Sequence, residues 1–262
     1  MFMKAFNAVT SRENPLIKLV SSLQNSAEKR RENGMFVLEG LRICKDAYEN
    51  GIRFDKLIIS DTAYEIYGAD VEKFSSAADG CFKIPDSLFK KISDTKTPQG
   101  IIAVCKIIKR DCGKIKKNGK YVALENVADP SNLGAVSRTA EALGADGIIL
   151  SSDGCDPFSP KALRASMGTL LRMPVYIFES FANGIKNTGL KSYACVVDRD
   201  AESISNCDFK EGSVVVIGNE ANGLTEEMKN AADTAVTIPM TGRAESLNAA
   251  AAAAIAIWEM MK

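Results

Sequence analysis

Apolar residues along this chain fall into short runs separated by polar, glycine-bearing segments, and the spacing switches between a two-residue and a 3.6-residue period. That alternation is the mark of an α/β protein. Over the first hundred residues, helical spacing from Pro15 to Asn33 precedes a strand Met35 to Leu38, a helix Leu41 to Glu49 and a strand Leu57 to Ser60. Helices over Val71 to Ala78 and Asp86 to Ile92 then flank strands Cys81 to Ile84 and Ile101 to Cys105. No catalytic constellation is visible in this stretch.

From Tyr121 the pattern is more regular. Strand Tyr121 to Glu125, helix Asn132 to Leu143, strand Gly147 to Ser151, helix Pro160 to Met167 and strand Val175 to Phe178 follow one another. Strands Tyr193 to Val197 and Ser213 to Ile217, a short helix Thr225 to Asn230, strand Ala235 to Ile238 and a final helix from Leu247 complete the chain. Regular alternation predicts a mainly parallel sheet covered on both faces. Ligands of such sheets bind in loops beyond the carboxyl ends of the strands. Three of those junctions are rich in polar groups and glycine: Asp129 to Gly134, Gly218 to Leu224 and Pro239 to Asn248.

Composition removes whole classes of chemistry. The 262 residues include no histidine, so no imidazole base, Ser-His-Asp triad or His-ligated zinc exists in this sequence. The seven cysteines are scattered with no CxxC pair and read as reduced, packed thiols, and no metal is expected. The apolar stretch Leu247 to Met261 is too short, and too interrupted by Asn248 and Glu259, to span a bilayer. With no long apolar leader, a cytoplasmic protein without membrane association is expected.

The 33 basic and 33 acidic residues balance, but not along the chain. Up to Lys120 there are 22 basic and 15 acidic residues, and beyond it 11 and 18, so the two parts carry +7 and −7. A basic part suits a polyanion. Two runs sharpen the point, Lys29-Arg30-Arg31 and the series Lys106, Lys109, Arg110, Lys114, Lys116, Lys117 and Lys120. We therefore expect three parts: a nucleic-acid-binding domain over 1–106, a basic linker over 107–120 and a second domain over 121–262.

Neither a GxGxxG fingerprint nor a GxxxxGK[ST] loop is present, which disfavours a Rossmann dinucleotide site and a P-loop. Gly218, Gly223 and Gly242 would permit positive φ and close backbone approach around a flat, adenosine-type ligand. Taken singly, each loop is an ordinary turn. On the helix from Asn132, the residues Leu133, Val136, Ala140 and Leu143 share one face, and Arg138 falls nearly opposite. An arginine so placed is ordinarily just solvated, yet it sits among the small residues Ala135, Ser137 and Thr139, which would leave room for a substrate or a second subunit.

Together the three segments resemble the signature motifs of the SpoU (TrmH) class of RNA ribose 2′-O-methyltransferases in the SPOUT superfamily. The matching residues are Asp129-Pro130-x-Asn132-x-Gly134 with Arg138-Thr139-Ala140, then Ile217-Gly218-x-Glu220-x-x-Gly223-Leu224, then Ile238-Pro239-Met240 and Ser246-Leu247-Asn248. Asp156 to Lys161 and Arg164 to Gly168 are similar to the family as well. Asn14-Pro15, Arg31, Phe36 to Gly40 and Thr97 to Gly100 resemble the substrate-binding domain, of ribosomal-protein L30e type, that many members carry. Asn219, Ala221 and the alanine run from Ala249 depart from the family pattern.

The resemblance implies a C-terminal domain with a trefoil knot that binds S-adenosylmethionine, in a homodimer that acts on structured RNA, ribosomal RNA ahead of tRNA. It implies cofactor contacts from Gly218, Gly223, Ile238 and Leu247. The polar catalytic set would be Asn132, Arg138, Glu220, Ser246 and Asn248, with the arginine near the partner's cofactor. Two roles stay open for Arg138, an unusual base or a cation beside the developing alkoxide, since a guanidinium is effectively always protonated. The competing readings are an RNA-binding module without catalysis, which has no need of that whole set, and a metabolic α/β enzyme, which leaves the basic N-terminal part unexplained.

Overall fold

Caps decide where the helices begin and end. In the computed structural model, which describes residues 4–198, 200–210 and 212–262, Asn14 accepts from the Leu16 amide at 2.9 Å and Pro15 occupies the first turn of α1 (Pro15–Asn25). Ser26 then interrupts the single helical stretch expected over 15–33. Its hydroxyl accepts from the Lys29 amide at 3.2 Å and starts α2 (Ala27–Asn33) as a separate helix.

The chain forms two compact units, one running to Ile108 and including Phe158–Arg164, the other made of Lys109–Pro157 and Ala165–Lys262. In the first, β1 (Asn7–Ala8), β2 (Met35–Glu39), β3 (Phe54–Ser60), β4 (Ala78–Ile84) and β5 (Ile101–Lys106) form a mixed sheet in the order β1-β4-β3-β5-β2. β4 pairs in parallel with β1 and β3, and β5 runs antiparallel to β3 and β2. Helices α3 (Leu41–Glu49), α4 (Asp61–Ile66), α5 (Gly68–Ser76) and α6 (Asp86–Ile92) connect the strands. Val20, Leu23, Ile58, Phe89 and Ile102 centre one core cluster of the unit. Strand β1 and helix α4 had no counterpart in the hydrophobic pattern, and Ala78, expected to end a helix, begins β4.

In the second unit β6 (Lys120–Leu124), β7 (Gly147–Ser151), β8 (Val175–Phe178), β9 (Lys191–Cys195), β10 (Glu202–Ser203), β11 (Ser213–Ile217) and β12 (Thr234–Thr237) form one sheet, ordered β10-β12-β9-β11-β6-β7-β8. All its pairings are parallel, from Glu202↔Val236 at one edge to Ile148↔Val175 at the other. Helices α7 (Pro130–Leu143) and α12 (Ala249–Met261) pack on each other, and α12 also lies on β6 and β11. Helices α10 (Phe181–Thr188) and α11 (Glu226–Ala231) pair on the other face, where Phe181, Ile185 and Met228 meet Tyr121, Ala123, Val214 and Val216. The two faces take alternate residues of β6 and β11, so both strands read as continuous apolar runs.

Several boundaries differ from expectation for local reasons. α8 (Pro160–Ala165) stops short of Met167 because Met167 and Gly168 both take positive φ, at 51° and 89°, before α9 (Thr169–Arg172) starts. The last helix begins at Ala249, not Leu247, because the Asn248 side chain accepts from the Ala250 and Ala251 amides as its cap. Val196 and Val197 lie beyond β9 rather than inside it. Among the described residues, no helix is long and apolar enough to cross a membrane.

Candidate active site

Three strands of the parallel sheet, β9, β11 and β12, end around one open cleft of about 100 Å³. Its walls are Cys195 at the end of β9 with Val196 and Val197 beyond it, Ile217 and Gly218 at the end of β11, Ile238 and Met240 beyond β12, and Leu247 with the first turns of α12. Glu220 and Ser246 supply the polar side chains of an otherwise largely apolar lining. Burial pushes the Cys195 thiol up to about 12, so it stays protonated and forms part of the wall rather than a nucleophile.

Two glycines shape the loop after β11 in different ways. A Cβ on Gly218 would fall 2.2 Å from the Gly223 carbonyl carbon, so the backbone there passes closer than any side chain allows. Gly223 has φ of 68°, and its amide and carbonyl pair with Asn219 to close the turn. Of the three glycines that could take positive φ, Gly218, Gly223 and Gly242, Gly223 adopts it. Gly218 is needed for close approach instead, and Gly242 has neither requirement.

The three sequence motifs meet through hydrogen bonds between side chains. Asn132, buried in the first turn of α7, donates from Nδ2 to Glu220 Oε1 at 2.7 Å. Its Oδ1 accepts from Asn248 Nδ2 at 3.1 Å. Glu220 also accepts from the Ala128 and Asp129 amides at 3.2 and 3.4 Å. Partial burial raises the Glu220 carboxyl, but the bonds from Asn132 and from backbone amides outweigh it and hold the group below its ordinary 4.5. Glu220 is therefore an anionic acceptor at neutral pH, locking the start of α7 to the loop after β11. Asn248 extends the same relay to the start of α12.

Ser246 stands exposed at the cleft, and its hydroxyl has no hydrogen-bond partner among the described residues. Arg138 lies apart from the relay. Six residues beyond Asn132, it is roughly 9 Å further along α7 and about 120° around it. It is exposed, with no ion pair or hydrogen bond among the described residues, and the buried face carries Leu133, Val136 and Ala140, with Leu143 half-buried. Of the nine predicted site residues, the geometry gathers Asn132, Gly218, Gly223, Glu220, Ile238, Ser246, Leu247 and Asn248 around the cleft and its loops, and leaves Arg138 outside them. Among the described residues, no group of three or more Cys, Asp or Glu side chains is arranged to hold a metal ion.

Residues 119–258 match the SpoU rRNA Methylase family. The chain belongs to that family. Residues 14–103 match the MRM3-like substrate binding domain. The chain is 29% identical to the 23S rRNA (guanosine(2553)-2′-O)-methyltransferase RlmP of Bacillus subtilis, over 96% of this chain and 98% of that protein. It superposes on the AdoMet-bound rRNA methyltransferase from Sinorhizobium meliloti with a TM-score of 0.85, at 29% identity and 97% coverage of both chains. The SpoU methyltransferase AviRb from Streptomyces viridochromogenes, in complex with the cofactor AdoMet, gives a TM-score of 0.80 at 25% identity, over 95% of this chain and 98% of that one.

In the loop after β11, one departure from the family pattern has a local explanation. Asn219 Oδ1 accepts from the Ala221 and Asn222 amides at 2.9 and 3.1 Å, and its Nδ2 donates to the Asn126 carbonyl at 2.7 Å. Asn126 has φ of 53° and holds Ser151 through its own side chain. Nearby, buried Glu125 accepts from the Thr225 amide and hydroxyl at 2.8 and 2.7 Å and fixes the far end of the loop. Sequence reasoning assigned no role to Asn126, Asn219, Glu125 or Thr225. The Asn and Thr at turn and cap positions were a signal for it.

Proposed function

We propose that this protein transfers the methyl group of S-adenosylmethionine to a ribose 2′-hydroxyl of ribosomal RNA, as a cytoplasmic homodimer. The observation that carries the reading is the relay Glu220–Asn132–Asn248, which draws three distant loops around a cleft with apolar walls and a close backbone passage at Gly218. That lining fits the donor: apolar walls for a flat base, main-chain groups at Gly218, Ile238 and Leu247 for its polar edges, and a carboxylate at Glu220 beside a cation. The relatives' names supply the substrate class, 23S rRNA at a 2′-oxygen, and two structural neighbours hold AdoMet.

Bound S-adenosylmethionine would supply a sulfonium methyl group to the ribose oxygen and leave as the thioether S-adenosylhomocysteine, with the hydroxyl proton passing to solvent water. The protein's share is positioning and charge. Asn132 and Asn248 hold the loops in register. Ser246, whose hydroxyl has no partner among the described residues, hydrogen-bonds the incoming ribose, and Glu220 keeps the mouth of the cleft anionic. Arg138, always protonated, places a cation beside the oxygen as it loses its proton. Because Arg138 points away from the relay of its own chain, it serves the cofactor site of the partner subunit.

Two further features support a dimer. Helix α12 is apolar nearly all round, and Trp258 remains 55% exposed with Ile255 at 38%. An apolar helix with an uncovered face is built to be covered. Helix α7, packed on α12, exposes Ala135, Arg138 and Ala142. We assign residues 1–106 to RNA capture, 107–120 to a basic linker and 121–262 to methyl transfer, with the loops after β11 and β12 threading as a trefoil knot. The test is mapping of ribose methylation in ribosomal RNA from cells with and without the gene, alongside methyl transfer in vitro. One methylation lost on deletion and restored in vitro is expected; an unchanged map with no transfer to any RNA would sink the reading.

A further inference from the structure

The basic run between the two domains is not one uniform feature. Lys116 is tied to Asp146 at 2.9 Å and Lys120 to the Met260 carbonyl, both within the second unit. Lys117 instead lines a broad concavity at the amino ends of β9 and β11. There it is joined by Lys186 of α10, Lys191 at the start of β9 and Lys210 before β11. These four lysines come from segments spread over nearly a hundred residues.

We propose that this concavity is a second docking surface for the RNA phosphate backbone, carried by the methyltransferase domain itself. The backbone beneath it is laced together. A Cβ on Gly212 would meet the Lys117 carbonyl oxygen at 1.9 Å, Ser213 donates to the Gly119 carbonyl at 3.0 Å, and Lys191 donates to the Gly212 carbonyl at 3.0 Å. The segments bearing Lys117, Lys191 and Lys210 are thereby held side by side. Lys117 and Lys186 have no ion pair among the described residues, Lys191 rests on the Tyr193 ring at 5.2 Å, and Lys210 has Asp208 at 3.6 Å. Among the described residues the lining has one carboxylate, Asp233, and it is turned onto the Ser192 amide and hydroxyl at 2.8 and 2.7 Å.

Charge selects the ligand. The concavity, of about 780 Å³, has four lysines among the residues that line it. Lysine without bidentate partners is a point charge suited to successive phosphates, not to one planar carboxylate. Along β9, at about 3.3 Å per residue, Lys191 lies roughly 13 Å from the cleft wall at Cys195. A folded RNA whose target ribose enters at the carboxyl end of the sheet reaches this surface with a neighbouring stretch of backbone. It would add affinity without reading sequence.

This inference rests on the rRNA methyltransferase reading, and the experiment separates the two. Full-length protein and its Lys117→Gln/Lys186→Gln/Lys191→Gln variant are titrated with a 23S rRNA transcript over a salt series, with S-adenosylhomocysteine affinity and melting temperature as controls. The variant should lose on the order of tenfold in RNA affinity at low salt, and its salt slope should fall by about 2, as for three lost phosphate contacts. Its cofactor affinity and melting should match wild type, and lysine-to-arginine replacements at the same positions should retain RNA binding. A folded variant with wild-type RNA affinity and slope overturns this inference alone. Wild-type protein that binds S-adenosylhomocysteine but shows no affinity for the transcript overturns both.

Discussion

Asn132 Nδ2 and Glu220 Oε1 lie 2.7 Å apart although 88 residues separate them in the chain. The bond joins the first turn of α7 to the loop after β11, and through Asn248 it reaches the cap of α12. Removing the middle member should therefore loosen three loops at once. Asn132→Ala leaves Glu220 its backbone donors but strips Asn248 of its acceptor. The loss of a buried hydrogen-bonding group costs about 1–3 kcal/mol. Denaturant unfolding should show a drop of that size, and S-adenosylhomocysteine affinity should fall with it. Unchanged cofactor affinity in a destabilised protein would separate the relay from the binding site.

The same pair makes a pH prediction. The Glu220 carboxyl is held below its ordinary 4.5 in the folded protein, so its ionised form favours the native state. That contribution is complete above about pH 4.5 and is lost as pH falls through the lower, folded value. In Glu220→Gln the group no longer titrates. The stability gap between wild type and variant should be widest near neutrality and close progressively below pH 4.5. Melting temperatures taken from pH 7 down to pH 3 check this, and a gap that grows on acidification would contradict it.

Gly218 tests the close passage in the cleft. An added methyl group would sit 2.2 to 2.5 Å from the Gly223 carbonyl and the Leu224 amide, which are backbone atoms with nowhere to rotate. Gly218→Ala must part the loop from β11. Overpacking of this kind costs about 1–3 kcal/mol. Calorimetry should find cofactor binding abolished or weakened by more than tenfold in a protein that still folds. Gly242→Ala, with open space around it and ordinary φ, should bind normally.

The sheet was legible because its strands β7, β8 and β11 are unbroken apolar runs flanked by turn residues. Helix α10 was not. Its buried positions Phe181, Ala182 and Ile185 are diluted by Asn183, Gly184 and Asn187, so the helical period is too faint to separate from a loop. The split at Ser26 and the start of α12 at Asn248 were missed because one side-chain cap outweighs several residues of periodicity. At the site, the motifs named the residues but not their pairing. Asn132 meets Glu220 and Asn248 only because β11 enters the sheet between β6 and β9, a placement no local window contains. The lysine concavity is the same case: Lys117 gains its partners from segments 69 to 93 residues further along the chain.

Arg138 carries the strongest prediction because its geometry is the most one-sided. It sits on the exposed face of α7, with Leu133, Val136 and Ala140 buried behind it and no partner among the described residues. Arg138→Ala should leave folding and cofactor affinity nearly unchanged. If the guanidinium stabilises charge on the ribose oxygen, methyl transfer should fall by roughly two to three orders of magnitude, the scale of losing one preorganised electrostatic contact. Arg138→Lys should retain part of the rate if charge alone matters, and little if the planar fork is required. The decisive measurement mixes Arg138→Ala with Gly218→Ala, once the latter is shown to bind no cofactor. In a mixed dimer, the Arg138→Ala subunit keeps an intact cofactor cleft and receives the arginine of the Gly218→Ala subunit. One working site is then rebuilt, and the mixture should show activity that neither parent has. If mass spectrometry verifies subunit exchange and activity stays absent, Arg138 serves its own chain or no catalytic purpose, and the assignment across the dimer is wrong.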